Sequence, residues 1–467
     1  MKRFLVRILP LALAAVLLTA VCGAAVAEEP VTLRIQHWGL GTEEENNIWR
    51  QTFAAFEAEH PGVTIEIVTI PLNADGSAGD YDSYLVTQAA ERNLPDVFMR
   101  WACADTVAKG WALDVTEYAE ADPSWAAVVQ SLRESGKYNG HVYGVPVGMF
   151  LFGFIQNYTL MEDINVEPLP YDYTLDELLE KIGECTTDKY RGTDNFRIED
   201  WGPFVMAPEK GIGFGAFDGS RFNYTAPEFA RSIDIVRDLA AKGWTGNGTF
   251  VDPWLPEGVG WAFGEGYIGV QFDGSWSAGM LLAEDRKFDG DFYPLPDGKM
   301  VVVPDYMFVG ANTEHPALAY ELLAYMGYNV PGTLAKIDII RTNNADPSKN
   351  VMTYPGMPLS PGFIPEADAF VEESYAGLPG LLKMYADLGS DPGCSIVEAA
   401  KYVPGYLKAR FNDGDTGMVD ENGAKVGIET LLNMIMKGEK NLADYAQQIE
   451  ELANRYYQDA LDELEGK

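Results

Sequence analysis

Three tryptophans follow short apolar runs, at points where strands are expected to end. Trp38 follows VTLRIQ, Trp101 follows DVFM, and Trp276 follows YIGVQF. In α/β sheets, the loops at the carboxyl ends of strands converge on one edge, and ligands bind there. An exposed indole at such a corner is costly, so either the protein core or a ligand must cover each ring.

Planar polar side chains accompany these tryptophans. Aromatic rings that stack and polar groups that form paired hydrogen bonds are the usual components of a ligand cleft. Because the chain is so acidic, Arg100 is also expected to pair with a carboxylate, and Trp201, in EDWGPF, is a candidate for a further wall. The four histidines are scattered and are expected to be structural or on the surface. The candidate ligand-binding residues are Trp38, Arg100, Trp101, Asp105, Trp201, Asp273 and Trp276.

Motifs for catalysis or cofactor binding are not supported by the sequence. It contains no HExxH, no Walker A loop and no paired CxxC zinc motif. The stretch DGSWSAG lacks the glycine spacing of a nucleophile elbow. With 70 acidic residues, some carboxylate pair falls at glycosidase spacing by chance. We therefore expect no catalytic residue, no cofactor and no resident metal ion.

Length and charge limit the class of protein. The 467 residues exceed the roughly 250–300 that one hydrophobic core serves, so two or three domains are expected. Loss of Lys2, Arg3 and Arg7 with the leader would change the net charge from −36 to −39. Such a surface repels nucleic acid and anionic lipid. The acidity favours solubility outside the cell, with a cationic ligand as the functional alternative.

The N-terminus has the pattern of a secretory signal peptide, residues 1–27. Basic residues precede ILPLALAAVLLTAV, and Ala25-Val26-Ala27 offers a cleavage site. Lipid attachment at Cys22 is the alternative processing. Either route predicts an extracytoplasmic protein. Cys103, Cys185 and Cys394 then remain, which allows one disulfide at most, although isolated buried thiols are expected.

The elements that would position the site begin with a strand, helix, strand, helix, strand order, which predicts an α/β layer with parallel pairing. Three pairs of residues have the spacing of a capping box and predict helix starts: Thr42 with Glu45, Thr174 with Glu177, and Thr225 with Glu228. The segment 341–380 is rich in Pro, Gly and Asn and predicts long loops.

The same order of elements resembles the extracellular solute-binding proteins of ABC importers, in the large sugar-binding group related to maltodextrin-binding protein. The resemblance spans about 300 residues and is weak beyond residue 341. Five stretches carry it in the family's order: IWRQTFAAFEAEHPGVTIEI, LPDVFM, YNGHVYGVPVG, FGEGYIGVQFDGSW and FVGANTEHPALAYELLAYM.

The resemblance implies a two-lobed periplasmic-binding-protein-like α/β fold with a discontinuous chain and an interlobe cleft. One lobe would hold residues 28–150 and 303–345, and the other residues 151–302 and 346–467. Hinges are expected near 149–154 and 300–304, so that lobe closure buries the ligand.

The resemblance also implies a function. The expected protein is a monomer that captures a sugar or oligosaccharide and delivers it to ABC permease subunits. Trp276, at the family's GSW corner, would stack on a sugar ring. The alternatives are a binder of another solute, such as a peptide, polyamine or organic ion, and a secreted carbohydrate-active enzyme.

Overall fold

The structure is a computed structural model that describes residues 30–70, 80–246, 254–345, 356–410, 416–419 and 423–466. The predicted signal peptide, with both of its processing sites, lies outside the described residues. Among the residues described, no helix is long and apolar enough to cross a membrane.

Ten strands form the sheets of the described residues. Alternating apolar residues predict the first of them, where Leu33 and Ile35 are buried and face the core. The strands are β1 Val31–Gln36, β2 Val63–Ile67, β3 Val97–Met99, β4 Lys137–Tyr138, β5 His141–Val142, β6 Val145–Asn157, β7 Val270–Gly274, β8 Gly290–Tyr293, β9 Met300–Val309 and β10 Ser395–Val397.

The α-helices of the first half are α1 Ile48–Glu59, α2 Tyr81–Ala90, α3 Cys103–Ala108, α4 Thr116–Ala121, α5 Gln130–Ser135, α6 Tyr158–Asp163, α7 Leu175–Glu184, α8 Ile198–Met206 and α9 Pro227–Ala241. Those of the second half are α10 Ala278–Leu282, α11 Pro316–Gly327, α12 Val330–Asn344, α13 Pro365–Ser374, α14 Pro379–Ser390, α15 Ala399–Tyr402, α16 Tyr406–Arg410, α17 Ile428–Met436 and α18 Leu442–Leu464.

The main sheet has the order β2-β1-β3-β9-β6-β7, with β10 also on β9 and β8 also on β6. Strand β1 pairs parallel with β2 and β3, as the strand and helix order predicts. Strand β9 runs antiparallel to both β3 and β6, and β6 runs antiparallel to β7 and β8. The two long strands β6 and β9 therefore join the β1–β3 layer to the β7–β8 layer.

Strands β6 and β9 cross the molecule side by side. Their register places Gly148 opposite Asp305 and Phe152 opposite Val301, and it shifts by a bulge between Pro146 and Gly148. Both hinges expected from the resemblance fall within this paired region. Bulges bend strands locally, so the position is compatible with a hinge, and the hinge itself stays a prediction.

Two large hydrophobic cores lie on either side of this crossing. On β9, Met300 and Val302 belong to the first core, whereas Val301 and Val303 belong to the second. The alternation follows from the two-residue period of a strand. The first core also joins residues from both expected lobes, Leu33 with Phe292 for example, so the lobe boundaries stay a prediction.

The three capping boxes have different outcomes. Thr174 and Glu177 form the reciprocal capping box of α7. Thr42 and Glu45 do bond each other, but α1 begins later, after its cap Asn47. Thr225 does not cap α9, because its amide and hydroxyl bind Glu450 instead. Tertiary contacts thus replaced a local pairing that the sequence alone predicted.

The prediction of long loops over 341–380 is wrong in part. Helix α12 continues to Asn344, and α13 and the start of α14 also lie in this segment. Both α13 and α14 begin with proline at the first helical position, where its missing N–H costs nothing. The three expected thiols, Cys103, Cys185 and Cys394, are buried and free, so no disulfide joins any two of them.

Candidate functional site

A cleft of about 1240 Å³ lies where the strand ends of the main sheet meet the β6–β9 crossing. Its wall is built from the ends of β1, β3 and β7, from the middle of β6 and β9, and from the chain after β10. Residues from these six places include Trp38, Trp101, Trp276, Phe150, Asp305 and Glu398. The structure therefore brings the three predicted strand-end loops to one cleft, and its role as the ligand site stays a prediction.

All three strand-end tryptophans line this cleft and remain about half exposed. Their exposed fractions are 50% for Trp38, 53% for Trp101 and 48% for Trp276. Large aromatic side chains normally bury most of their surface. Three half-exposed indoles in one concave site therefore form an apolar surface that is available to a ligand.

The corner around Trp276 explains the sequence DGSW. A Cβ on Gly274 would lie 2.4 Å from the Trp276 ring, so only glycine lets the indole lie against the backbone. Ser275 Oγ accepts a hydrogen bond of 3.1 Å from Leu151 N, which ties the corner to β6. Phe150 and Phe152 contact the indole edge-on, with ring centroids 5.6 and 5.2 Å away. The ring is thus held in place by the crossing strand.

Asp273 braces the same corner. Its carboxylate accepts hydrogen bonds from Gly274 N at 2.8 Å and from Ser277 Oγ at 2.7 Å, and the residue also lines the cleft. Burial raises the pKa of Asp273, although these hydrogen bonds oppose the shift. The carboxylate therefore has a structural role and a position from which it can contact a ligand.

Trp101 has a cation against its ring. Lys401 Nζ lies 4.8 Å from the ring centroid and also pairs with Asp305 at 3.4 Å. A lysine over an indole face is attracted by the ring quadrupole. Lys401 thus positions Trp101 from a segment that follows β10, while half of the residue stays exposed to the cleft.

Arg100 lines the cleft, but its guanidinium group is bound by other side chains of the protein. Its guanidinium binds both oxygens of Asp82, at 3.0 and 2.8 Å, and also pairs with Asp105. Asp105 itself pairs again with Lys109 at 2.9 Å and is absent from the cleft wall. The structure thus confirms that Arg100 pairs with carboxylates, and it places Asp105 outside the cleft.

The structure corrects the expectation for Trp201. Its indole is fully buried in the second core, packs edge-on against Phe154 and donates Nε1–H to Phe196 O at 2.9 Å. The reason is that EDWGPF forms part of α8, whose face at this residue is turned to the core. Trp201 therefore supplies no wall.

A buried charge cluster forms a wall that the sequence did not reveal. Arg197 donates two hydrogen bonds to Asp200 Oδ2, at 2.9 and 2.7 Å, and Arg410 Nε donates to Asp200 Oδ1 at 3.4 Å. Although burial disfavours its charge, these two arginines hold the pKa of Asp200 below its ordinary value. Burial and the charge of Asp200 raise the pKa of Glu199 beside it.

Two side-chain atoms at the end of β1 belong to residues that line the cleft and have no hydrogen-bond partner in the described chain. These atoms are Gln36 Oε1 and His37 Nε2, both buried. His37 was expected to be structural or on the surface. Its position directly before Trp38 in a strand-end loop was the only sequence feature that could have indicated a role in the cleft.

Among the described residues, no group of three or more His, Cys, Asp or Glu side chains is arranged to hold a metal ion. The cleft offers aromatic faces, hydrogen-bonding groups and paired charges instead. Such groups can contact a bound solute by stacking and hydrogen bonding.

The sequence and the fold were compared with those of known proteins. A family model described as "Bacterial extracellular solute-binding protein" matches residues 41–327. An uncharacterized ABC transporter extracellular-binding protein of Pyrococcus horikoshii is 25% identical over 314 residues, which cover 64% of this chain and 69% of that protein.

Two solved structures share the fold. The ABC substrate-binding protein Lmo0181 of Listeria monocytogenes, in complex with cycloalternan, has a TM-score of 0.62 at 16% identity, over 91% of this chain and 98% of that one. The cyclic α-maltosyl-1,6-maltose binding protein of Arthrobacter globiformis has a TM-score of 0.63 at 18% identity, over 92% and 100%. The fold is thus the two-lobed periplasmic-binding-protein fold, and the chain belongs to the bacterial extracellular solute-binding protein family.

Proposed function

We propose that this protein captures a sugar or an oligosaccharide in the cleft and delivers it to the permease subunits of an ABC importer. It acts outside the cytoplasm as a monomer after removal of residues 1–27. The observation that carries the proposal is the set of three half-exposed indoles, Trp38, Trp101 and Trp276, in one cleft. Pyranose rings offer flat C–H faces to such rings.

The size of the cleft supports an oligosaccharide. Its volume of about 1240 Å³ exceeds the roughly 300–1,000 Å³ of typical small-molecule sites. The related structures support the same class of ligand. One is a complex with cycloalternan, and the other is a cyclic α-maltosyl-1,6-maltose binding protein.

The charges in the cleft argue against a cationic solute. Although the whole chain has a net charge of −36, cations and carboxylates almost balance in the cleft wall. The cations are Arg50, Arg100, Arg197, Lys401 and Arg410, and the carboxylates are Asp82, Glu199, Asp273, Asp305, Glu398 and Glu429. A polyamine site would show a clear excess of carboxylates, so the acidity of the chain belongs to the rest of its surface.

Lobe closure about the β6–β9 crossing would couple capture to delivery. A ligand that contacts both sides of the cleft stabilises the closed arrangement, and a permease that prefers this arrangement selects the loaded protein. Trp276, after β7, and Trp38, after β1, are the residues that we propose for such contacts.

The first experiment measures the melting temperature of the mature protein with maltotriose, cycloalternan, cyclic α-maltosyl-1,6-maltose, D-tagatose, spermidine and a peptide mixture. Binding to the folded state raises stability by RT ln(1 + [L]/Kd), about 2.7 kcal/mol at a hundredfold excess over Kd. Trp276→Ala should weaken sugar binding by about 2 kcal/mol, roughly thirtyfold. Trp261→Ala is the matched control, since Trp261 is 43% exposed and lies outside the cleft wall.

Three outcomes would contradict the proposal. A response to spermidine or peptide alone would assign another solute. An affinity that falls steeply with added salt would indicate that the ligand is bound through its charge. Binding of a neutral sugar is insensitive to screening by salt. Release of reducing ends from a glycan by the purified protein would identify an enzyme.

A further inference from the structure

Glu398 is a buried carboxylate in the cleft wall that no group of the described chain binds. The residue is 5% exposed and lines the cleft. The described protein donates no hydrogen bond to its side chain; charges act on it only from a distance. Buried carboxylates are normally paired or hydrogen-bonded. Two carboxylate oxygens in a ligand cleft that accept no hydrogen bond from the described protein therefore require an explanation.

The backbone fixes this residue in place. Strand β10 pairs parallel with β9, and Glu398 N donates to Val302 O at 2.9 Å directly after that strand. Glu398 then stands at the N-cap of α15, but its side chain makes no capping hydrogen bond. Neither the strand nor the helix uses the carboxylate, so local structure does not explain it.

The cations that act on Glu398 are engaged elsewhere. Lys401 pairs with Asp305 at 3.4 Å, and Arg197 pairs with Asp200 at 2.7 Å. Burial raises the pKa of Glu398, while the more distant charges of Lys401 and Arg197 act against that shift and those of Asp200 and Asp305 add to it. The carboxyl group therefore faces the cleft without a direct partner among the described residues.

Glu450 shows what a structural buried glutamate looks like in the same chain. It is 9% exposed, accepts hydrogen bonds from Thr225 N at 2.8 Å and Thr225 Oγ1 at 2.6 Å, and pairs with Arg221. It lies outside the cleft wall. The two glutamates are similarly buried, but the described protein donates hydrogen bonds only to the carboxylate of Glu450.

We propose that Glu398 is a specificity-determining residue whose two oxygens accept hydrogen bonds from neighbouring hydroxyl groups of the bound sugar. The inference rests on the proposed function and adds the group that recognises the hydroxyl pattern. A planar carboxylate presents two acceptors side by side, which matches two hydroxyl groups on adjacent ring carbons.

The test compares Glu398→Gln with Glu450→Gln in the full mature chain. Calorimetric titration with the sugar that best stabilises the wild type measures affinity, and melting without ligand measures stability. Loss of a charged acceptor should reduce sugar affinity about ten- to a hundredfold in Glu398→Gln. Glu450→Gln should bind the sugar as the wild type does.

Without ligand, the two variants should change the stability of the protein in opposite directions. Glu398→Gln removes a largely buried carboxylate that no described group binds, and we expect its melting temperature at pH 7 to rise by about 1–2 °C. Glu450→Gln breaks a satisfied network and should melt lower. A gain in stability joined to a loss of affinity is typical of a group kept for binding.

Three other outcomes are possible, and each contradicts a specific claim. If the wild type binds no sugar, the proposed function fails and this inference fails with it. If the wild type binds and Glu398→Gln retains its affinity within twofold, only the role of Glu398 is wrong. If Glu398→Gln melts lower, as Glu450→Gln should, its carboxylate is structural and the inference is overturned.

Discussion

Lys401 Nζ lies 4.8 Å from the centroid of the Trp101 ring and 3.4 Å from Asp305 Oδ1. This one ammonium group joins the loop after β3, the crossing strand β9 and the helix α15. The aromatic surface of the cleft is thus assembled from segments far apart in the chain. A substitution that removes the ammonium group of Lys401 should therefore affect both the stability of the protein and its ligand binding.

Lys401→Met should lower the free energy of unfolding by about 2 kcal/mol, because it leaves the partly buried carboxylate of Asp305 without its partner. Burial raises the pKa of Asp305. The double variant Lys401→Met with Asp305→Asn should recover most of the loss. Urea unfolding of the wild type, Lys401→Met, Asp305→Asn and the double variant measures the coupling, and the absence of recovery would contradict the pairing.

Gly274→Ala should displace the Trp276 indole, since the added Cβ would lie 2.4 Å from the ring. We expect a loss of sugar affinity of about tenfold or more, with a changed tryptophan fluorescence spectrum. Gly279→Ala is the control, because a Cβ there meets nothing within 4 Å. Equal affinity in the two variants would show that the position of the indole is not required.

Arg100→Lys should destabilise the protein by about 1–3 kcal/mol although it keeps the charge, because lysine cannot form the bidentate contact with Asp82. The exposed pair of Arg286 with Asp289 provides the comparison. Arg286→Lys should change stability by less than about 0.5 kcal/mol. Chemical unfolding measures both, and equal effects would argue against a scaffolding role for Arg100.

His37 should remain neutral with its proton on Nε2. Its Nδ1 accepts a hydrogen bond of 2.8 Å from Gly39 N, and burial lowers its pKa to about 3. The ¹⁵N spectrum of histidine-labelled protein contains only four imidazoles. The resonance lost in His37→Gln should not move between pH 8 and pH 5, and movement in that range would disprove the assignment.

The lowered pKa of His37 also has a thermodynamic consequence. In the unfolded chain its imidazole binds a proton below its ordinary pKa of about 6.5, whereas the folded protein keeps it neutral. Stability is therefore lost as pH falls. From pH 7 to pH 5 this residue alone should cost about 2 kcal/mol. His37→Gln should lose correspondingly less stability than the wild type over that range, as urea unfolding at the two pH values would show.

Several features of the fold and site were predictable because they depend on neighbours in the sequence. Alternating apolar residues indicated β1, the spacing of Thr174 and Glu177 indicated the start of α7, and ordered motifs indicated the family. The three indoles at strand ends were found by the same kind of local rule. Trp38 and Trp101 share one edge because β1 and β3 run parallel, whereas Trp276 follows β7, which runs antiparallel to them, and only the structure brings it to the same cleft.

Other features depended on partners distant in the sequence. Thr225 has the spacing of a cap, yet Glu450 takes its donors. Trp201 and Trp276 both stand among acidic and glycine residues, yet one fills a core and the other stays half exposed. No local pattern distinguishes these cases, because burial depends on which elements pack together.

The sequence by itself therefore determined the secretory pattern, the α/β class, the family and the strand-end tryptophans. Only the tertiary structure decided which carboxylates hold Arg100, that Trp201 is core, and that Glu398 stands in the cleft without a partner among the described residues. The physical reason is that periodicity and capping act over a few residues, whereas the desolvation and pairing of a charge depend on every segment that surrounds it.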